Sequence, residues 1–108
     1  MVKRPRALSG IQPTGEIHIG NYLGALSNWV KMLETHDCFF MVVDYHALSG
    51  DADPAKLSAR TLEAARSGIA CGLDPQRCTL FVQSSVPDHA ELFWILSCIS
   101  PLGLLERM

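Results

Sequence analysis

His18 stands two residues ahead of Gly20 and three ahead of Asn21. It lies within the string Ser9-Gly10-Ile11-Gln12-Pro13-Thr14-Gly15-Glu16-Ile17-His18-Ile19-Gly20-Asn21. Apolar residues lead into the Pro/Gly turn of this string and a helical pattern follows it, so the segment reads as strand, tight turn and helix start. A helix N-terminus carries unpaired backbone N–H groups and a partial positive charge, which favour a phosphate. An imidazole at that mouth can donate to phosphoryl oxygens and stabilise charge developing in phosphoryl or nucleotidyl transfer. Gly20, lacking a Cβ, admits a base or ribose close to the backbone, or serves tight helix–strand packing. Asn21 suits either a helix cap or a hydrogen bond to the nucleotide.

Other polar residues collect behind apolar runs in the same way. Gln12, Thr14 and His18 follow the first run, Asp44 and His46 the second, and Gln83, Ser84 and Ser85 the third. Were these runs parallel strands, their C-terminal ends would face one crevice, where α/β proteins bind ligands.

The elements that must position them are legible as patterns. Ala7, Leu8 and Ile11 mark a first strand. Leu23, Leu26, Trp29, Val30 and Leu33 recur at three- and four-residue steps, as in an amphipathic helix. Cys38-Phe39-Phe40-Met41-Val42-Val43 is continuously apolar and suits a strand covered on both faces. Asp53 and Pro54 suit the N-cap and first position of a second helix, with Leu57, Leu62, Ala65 and Ile69 as its stripe and Gly72 and Pro75 as its stop. Residues 79–83 read as a third buried strand. A last helix begins near Pro87 and carries Leu92, Trp94, Ile95, Leu96, Cys98 and Ile99. It is apolar on more than one face, as for packing against a further surface such as a second subunit.

The order β-α-β-α-β-α predicts the α/β class, with a Rossmann-like parallel sheet, flanking helices and right-handed crossovers. Residues 1–108 are expected to form one unit, with no second domain in this chain. Three parallel strands make only one mononucleotide-binding half of a doubly wound fold. The chain therefore reads as a fragment, with an unpaired outer edge on its first strand.

Composition narrows the function classes. Apolar residues are 48% and charged residues 19% of the chain, as in an ordinary globular domain rather than a disordered one. A net charge of −2 offers no general attraction to a polyanion, so nucleic acid would need a local patch or residues outside this chain. The four cysteines, at 38, 71, 78 and 98, form no Cys-x-x-Cys pair and read as reduced thiols, with Cys38 and Cys98 as small core residues. The apolar stretch after the basic N-terminus is too short for a signal peptide, and no run is long enough to span a bilayer, so the expected location is cytoplasmic. Neither Gly-x-Gly-x-x-Gly nor Gly-x-x-x-x-Gly-Lys-Ser/Thr occurs, and no Ser/His/Asp triad is suggested. Gly68 and Gly72 read as packing and cap positions. Asp51 and Asp53 read as capping rather than as a metal cluster, and no metal ligand is named.

The strings described so far, Ser9-Gly10-Ile11-Gln12-Pro13-Thr14-Gly15 and His18-Ile19-Gly20-Asn21-Tyr22-Leu23-Gly24-Ala25, resemble the signature region of bacterial tryptophanyl-tRNA synthetases. Val43-Asp44-Tyr45-His46-Ala47-Leu48, Gly72-Leu73-Asp74-Pro75, Phe81-Val82-Gln83-Ser84 and Val86-Pro87-Asp88-His89-Ala90 resemble the same family in the same order. His18-Ile19-Gly20-Asn21 is similar to the class I His-x-Gly-His element, with asparagine in the last place.

The resemblance implies the N-terminal part of a class I catalytic, ATP-binding domain that adenylates L-tryptophan and passes it to tRNA(Trp). It implies that Gln12, Pro13 and Thr14 line the ATP phosphate and ribose side, that His18 stabilises the α-phosphoryl transition state, and that Gly20 and Asn21 lie under the adenosine. Leu8, Gly10, Val43 and His46 would fall around the tryptophan pocket. ATP would arrive with Mg2+. The helix after Pro87 resembles the family's homodimer interface. The family's Lys-Met-Ser-Lys-Ser-like motif, the acidic residue that reads the indole N–H and the anticodon-binding helices are not in these residues, so the chain alone is expected to activate tryptophan poorly. Two alternatives stand beside this reading: a tyrosyl-tRNA synthetase, and a truncated non-enzymatic nucleotide-binding or dimerising module. A gene that continues past this chain into the lysine-rich motif separates the enzyme from the module.

Overall fold

The computed structural model describes residues 3–50 and 53–107, so Asp51 lies outside the described residues. Three parallel strands, β1 (Arg6–Ile11), β2 (Asp37–Val42) and β3 (Cys78–Val82), form one sheet in the order β1-β2-β3. Register is continuous, with Leu8 opposite Phe39, Gly10 opposite Met41 and Val42 opposite Val82. The Rossmann-like half expected from the pattern is present, and among the described residues β1 has no neighbour on its outer edge.

Strands added one after another in a single direction by right-handed crossovers carry their helices on one face. The burial pattern agrees. Cys38, Phe40 and Val42 are buried, whereas Phe39 and Met41 between them are only half-buried. The expectation that β2 is covered on both faces is thus corrected. β3 is likewise a half-buried edge strand rather than a buried one. On the open face, Leu8 is 63% exposed.

The first connection is helical from residue 19 to 32, but not uniformly α. α1 (Ile19–Asn21) widens into a π segment (Tyr22–Leu26) before α2 (Ser27–Met32). In the widened stretch Ser27 donates its hydroxyl to Leu23 O at 3.3 Å, and Asn28 its amide to Gly24 O at 3.4 Å. Leu26, Trp29 and Leu33 reach the core while Leu23 does not. The Trp29 ring stacks on Phe40 with centroids 4.4 Å apart and planes at 6°, worth about 1 kcal/mol beyond its burial. Ala7, Cys38 and Leu73 complete this core.

After β2 the chain makes a short helix, α3 (Asp44–Ala47), which the apolar pattern does not reveal. α4 (Pro54–Ala70) begins as expected: Asp53 is the N-cap, accepting the Ala55 N–H at 3.0 Å, and Pro54 opens the helix. Its end is a Schellman turn, with Leu73 N donating to Gly68 O at 3.1 Å and Gly72 N to Ile69 O at 2.9 Å. Gly72 has φ +108°, a conformation that favours glycine. The buried face of α4 is the small-residue face, Ala64 and Gly68, and a Cβ on Gly68 would come 3.1 Å from Leu73 Cδ1. Leu62 and Ile69, expected in the buried stripe, are exposed. α4 is buried where its side chains are smallest.

A 3-10 turn (Gln83–Ser85) leads from β3 to α5 (Asp88–Ile99) and α6 (Leu102–Leu105). No residue of α5 or α6 is buried. Cys98 is therefore exposed rather than a core residue, while Cys38 is buried as expected.

Candidate functional site

The turn after β1 and the start of α1 enclose a cavity of about 200 Å³, lined by Gln12, Thr14, Gly15, Glu16, His18 and Asn21 among others. Gln12 and Thr14 are exposed. Pro13 is fully buried and shapes the turn from beneath. Among the described residues that line this cavity, none is lysine or arginine. Positive potential there must come from main-chain N–H groups and the imidazole.

His18 is itself the N-cap. Its backbone is extended, at φ −107° and ψ 172°, and its Nδ1 accepts the Gly20 N–H at 3.1 Å. Asn21 Oδ1 accepts the His18 N–H at 3.1 Å, closing a reciprocal capping box. The capping role weighed for Asn21 thus falls to His18, and Asn21 supports it from the third helical position. Because Nδ1 accepts, the neutral ring carries its proton on Nε2. A Cβ on Gly20 would lie 2.9 Å from His18 Cε1 and 3.0 Å from Nδ1. Glycine at position 20 therefore makes room for the imidazole of the same turn.

The other strand ends build a second, larger cleft. Asp44 Oδ1 accepts the N–H of Tyr45 at 3.1 Å and of Ser84 at 3.0 Å, tying α3 to the turn after β3. His46 Nδ1 meets Gln83 Oε1 at 3.0 Å, and His89 Nδ1 meets Gln83 O at 3.4 Å. Tyr45, His46, Ser49, Gln83, His89 and Phe93 line a cleft of about 520 Å³. His89, Phe93, Tyr45 and Ser49 are not among the site residues expected from the sequence, although Tyr45 and His89 lie in strings that resemble the family. The i, i+4 spacing of His89 and Phe93 is the signal that could have paired them.

The crevice expected to be common to all three strand ends is thus divided in two. Gln12, Thr14, His18 and Asn21 share one cavity, and His46 and Gln83 share the other. Asp44 and Ser84 are bonded to each other between them. Of the remaining predicted residues, Leu8 and Gly10 lie on the open sheet face and Val43 is buried, where a Cβ on Gly10 would come 2.6 Å from Val43 Cγ1. The shared wall of a doubly wound crevice comes from strands beyond the first, and here β1 is an edge.

Sequence comparison matches residues 2–108 to the tRNA synthetases class I (W and Y). The chain belongs to that family. Within it, the chain is 56% identical to the tryptophan–tRNA ligase of Parasynechococcus marenigrum over 105 residues, covering 97% of this chain and 31% of that protein. It is 58% identical to tryptophan–tRNA ligase 2 of Streptomyces avermitilis over 106 residues, covering 97% and 32%. The crystal structure of the Campylobacter jejuni tryptophanyl-tRNA synthetase, complexed with ADP and tryptophan, matches with a TM-score of 0.87 and 43% identity over 94% of this chain and 32% of that one. An archaeal tyrosyl-tRNA synthetase, from Archaeoglobus fulgidus, shares the fold at TM-score 0.80 and 24% identity over 94% and 33%. The chain spans about a third of the length of these class I relatives. Its sheet and helices are those of the Rossmann-like class I synthetase fold.

Proposed function

We propose that these residues form one half of the site at which a tryptophan–tRNA ligase activates L-tryptophan with ATP and then charges tRNA(Trp). The observation that carries the reading is the His18 cap. Nδ1 is held by the Gly20 N–H, so Nε2–H is the donor left to meet a phosphoryl oxygen beside Gln12, Thr14 and Asn21. A donor fixed before reaction stabilises developing negative charge without reorganising. Gln12 and Thr14 then meet the phosphate and ribose side, Pro13 holds their turn, and Gly20 and Asn21 underlie the adenosine. Leu8, Gly10, Val43 and His46 belong to the tryptophan side.

High identity to tryptophan–tRNA ligases supports tryptophan over tyrosine. The ADP and tryptophan of the Campylobacter jejuni complex support the pair of substrates. Mg2+ would enter with ATP; no group of three or more His, Cys, Asp and Glu among the described residues is arranged to hold it. The exposed apolar surface of α5, with Phe93, Trp94 and Ile99, supports a homodimer contact. No described helix is long and apolar enough to cross a membrane, and the reading places the protein in the cytoplasm, where tRNA is charged.

ATP–pyrophosphate exchange by the full-length protein tests this, with tryptophan and tyrosine compared. Tryptophan-dependent exchange is expected, with His18→Ala lowering its rate and leaving tryptophan affinity nearly unchanged. Tyrosine-dependent exchange, or an unaltered rate in His18→Ala, overturns the reading. The 108-residue chain alone is expected to exchange poorly.

A further inference from the structure

Gln83 is the single buried polar side chain among the described residues, 7% exposed. A polar group so placed must be bonded, or its desolvation opposes folding. Its Oε1 lies 3.0 Å from His46 Nδ1, and an amide oxygen only accepts. With the amide oxygen turned towards it, His46 Nδ1 is the donor, and Nε2 of the neutral ring is left as an acceptor. Each partner is anchored. Asp44 Oδ1 draws α3 to the Ser84 N–H beside Gln83, and the Ser49 hydroxyl donates to His46 O at 2.7 Å. The same residue repeats the device with its main chain, since Gln83 O accepts from His89 Nδ1 at 3.4 Å. Both imidazoles line the cleft whose other walls include Ala90 and Phe93.

We propose that Gln83 is a positioning residue: its side-chain carbonyl holds His46 in the Nδ1–H tautomer, so that His46 Nε2 meets an N–H group of the amino-acid substrate as a hydrogen-bond acceptor. The tautomer half stands on the geometry alone. The substrate half rests on the reading of this cleft as the tryptophan side of the site.

The test uses full-length protein labelled with 15N-histidine, its His46 resonances assigned by their loss in His46→Gln. Imidazole nitrogen shifts are expected to show the Nδ1–H form in the native protein and in Gln83→Glu, which keeps the acceptor. In Gln83→Met, which keeps the bulk without it, the Nε2–H form is expected to dominate. In exchange assays Gln83→Met is expected to raise the tryptophan KM about tenfold with kcat little changed, the scale of one hydrogen bond, and Gln83→Glu to restore most of it. An Nε2–H ring in the native protein, or a tautomer indifferent to Gln83→Met, overturns the positioning role. A tautomer that switches without any change in tryptophan KM overturns the substrate contact. Native protein that fails to exchange with tryptophan overturns the functional reading instead, and leaves the tautomer result to decide the rest.

Discussion

Replacing Gly20 with alanine sets the fold and the chemistry against each other. The new Cβ would stand 2.9 Å from His18 Cε1 and 3.0 Å from Nδ1, roughly half an ångström inside ordinary contact. The imidazole is the end of a side chain, so it yields, and its 3.1 Å bond from the Gly20 N–H stretches beyond useful length. Losing that cap costs about 1 kcal/mol. Alanine in place of glycine within a helix returns about the same amount. Thermal stability should therefore change little. The rate should not escape, because a reacting group displaced by ~1 Å can cost about a hundredfold. Single-turnover formation of the adenylate by the full-length protein is expected to slow by about 10- to 100-fold, with tryptophan KM within about twofold. In a His18→Ala background the clashing ring is gone, so Gly20→Ala should add no further loss of rate and should stabilise the helix by about 1 kcal/mol. Full rate in the single variant, or additive losses in the double, would refute the view that Gly20 acts through His18.

Three further outcomes follow from the packing. Gly10→Ala places a Cβ 2.6 Å from Val43 Cγ1 and 3.2 Å from Met41 Cγ, and should lower the urea unfolding free energy by about 1–3 kcal/mol, with Val43→Ala recovering part of it. Asp53→Ala removes the acceptor of the Ala55 N–H and should cost about 1 kcal/mol in the same assay, whereas Lys56→Ala, which breaks only the exposed 3.5 Å ion pair, should cost less than about 0.5 kcal/mol. Burial, above all, holds the Cys38 and Cys78 thiols above their ordinary range, so the folded chain keeps protons that the unfolded chain releases. The urea midpoint should therefore fall as pH rises through the thiol range, about 8.5 and above. That fall should shrink in a Cys38→Ala/Cys78→Ala variant; an identical pH slope in that variant counts against the thiols as its source.

Much of the fold was legible because local chemistry and tertiary structure agree in it. Asp53 with Pro54, and Gly72 at φ +108°, start and stop α4 through backbone requirements that a residue type states directly. The leucine and tryptophan steps place Leu26, Trp29 and Leu33 on one side of any helix, and they are the side that is buried. The α4 stripe misled for a physical reason. Leu62 and Ile69 are more apolar than Ala64 and Gly68, but close approach to a sheet is set by volume as well as polarity, and the small face wins. In the site, the string from Gln12 to Asn21 was recognisable as a helix mouth, but which side chain caps it was not. Asparagine is the commoner cap, and only the extended backbone at residue 18 turns Nδ1 onto the Gly20 N–H.

By itself the sequence determined the family, the order of the three strands and the long helices after them, and the residues standing at the strand ends, since these depend on residue types read along the chain. Only the tertiary structure decided that the strand ends form two cavities rather than one, and that the His46 ring meets the Gln83 amide. Those outcomes depend on hydrogen bonds between segments far apart in sequence. Gln83 lies 37 residues from His46, and nothing in either neighbourhood says that the two will meet.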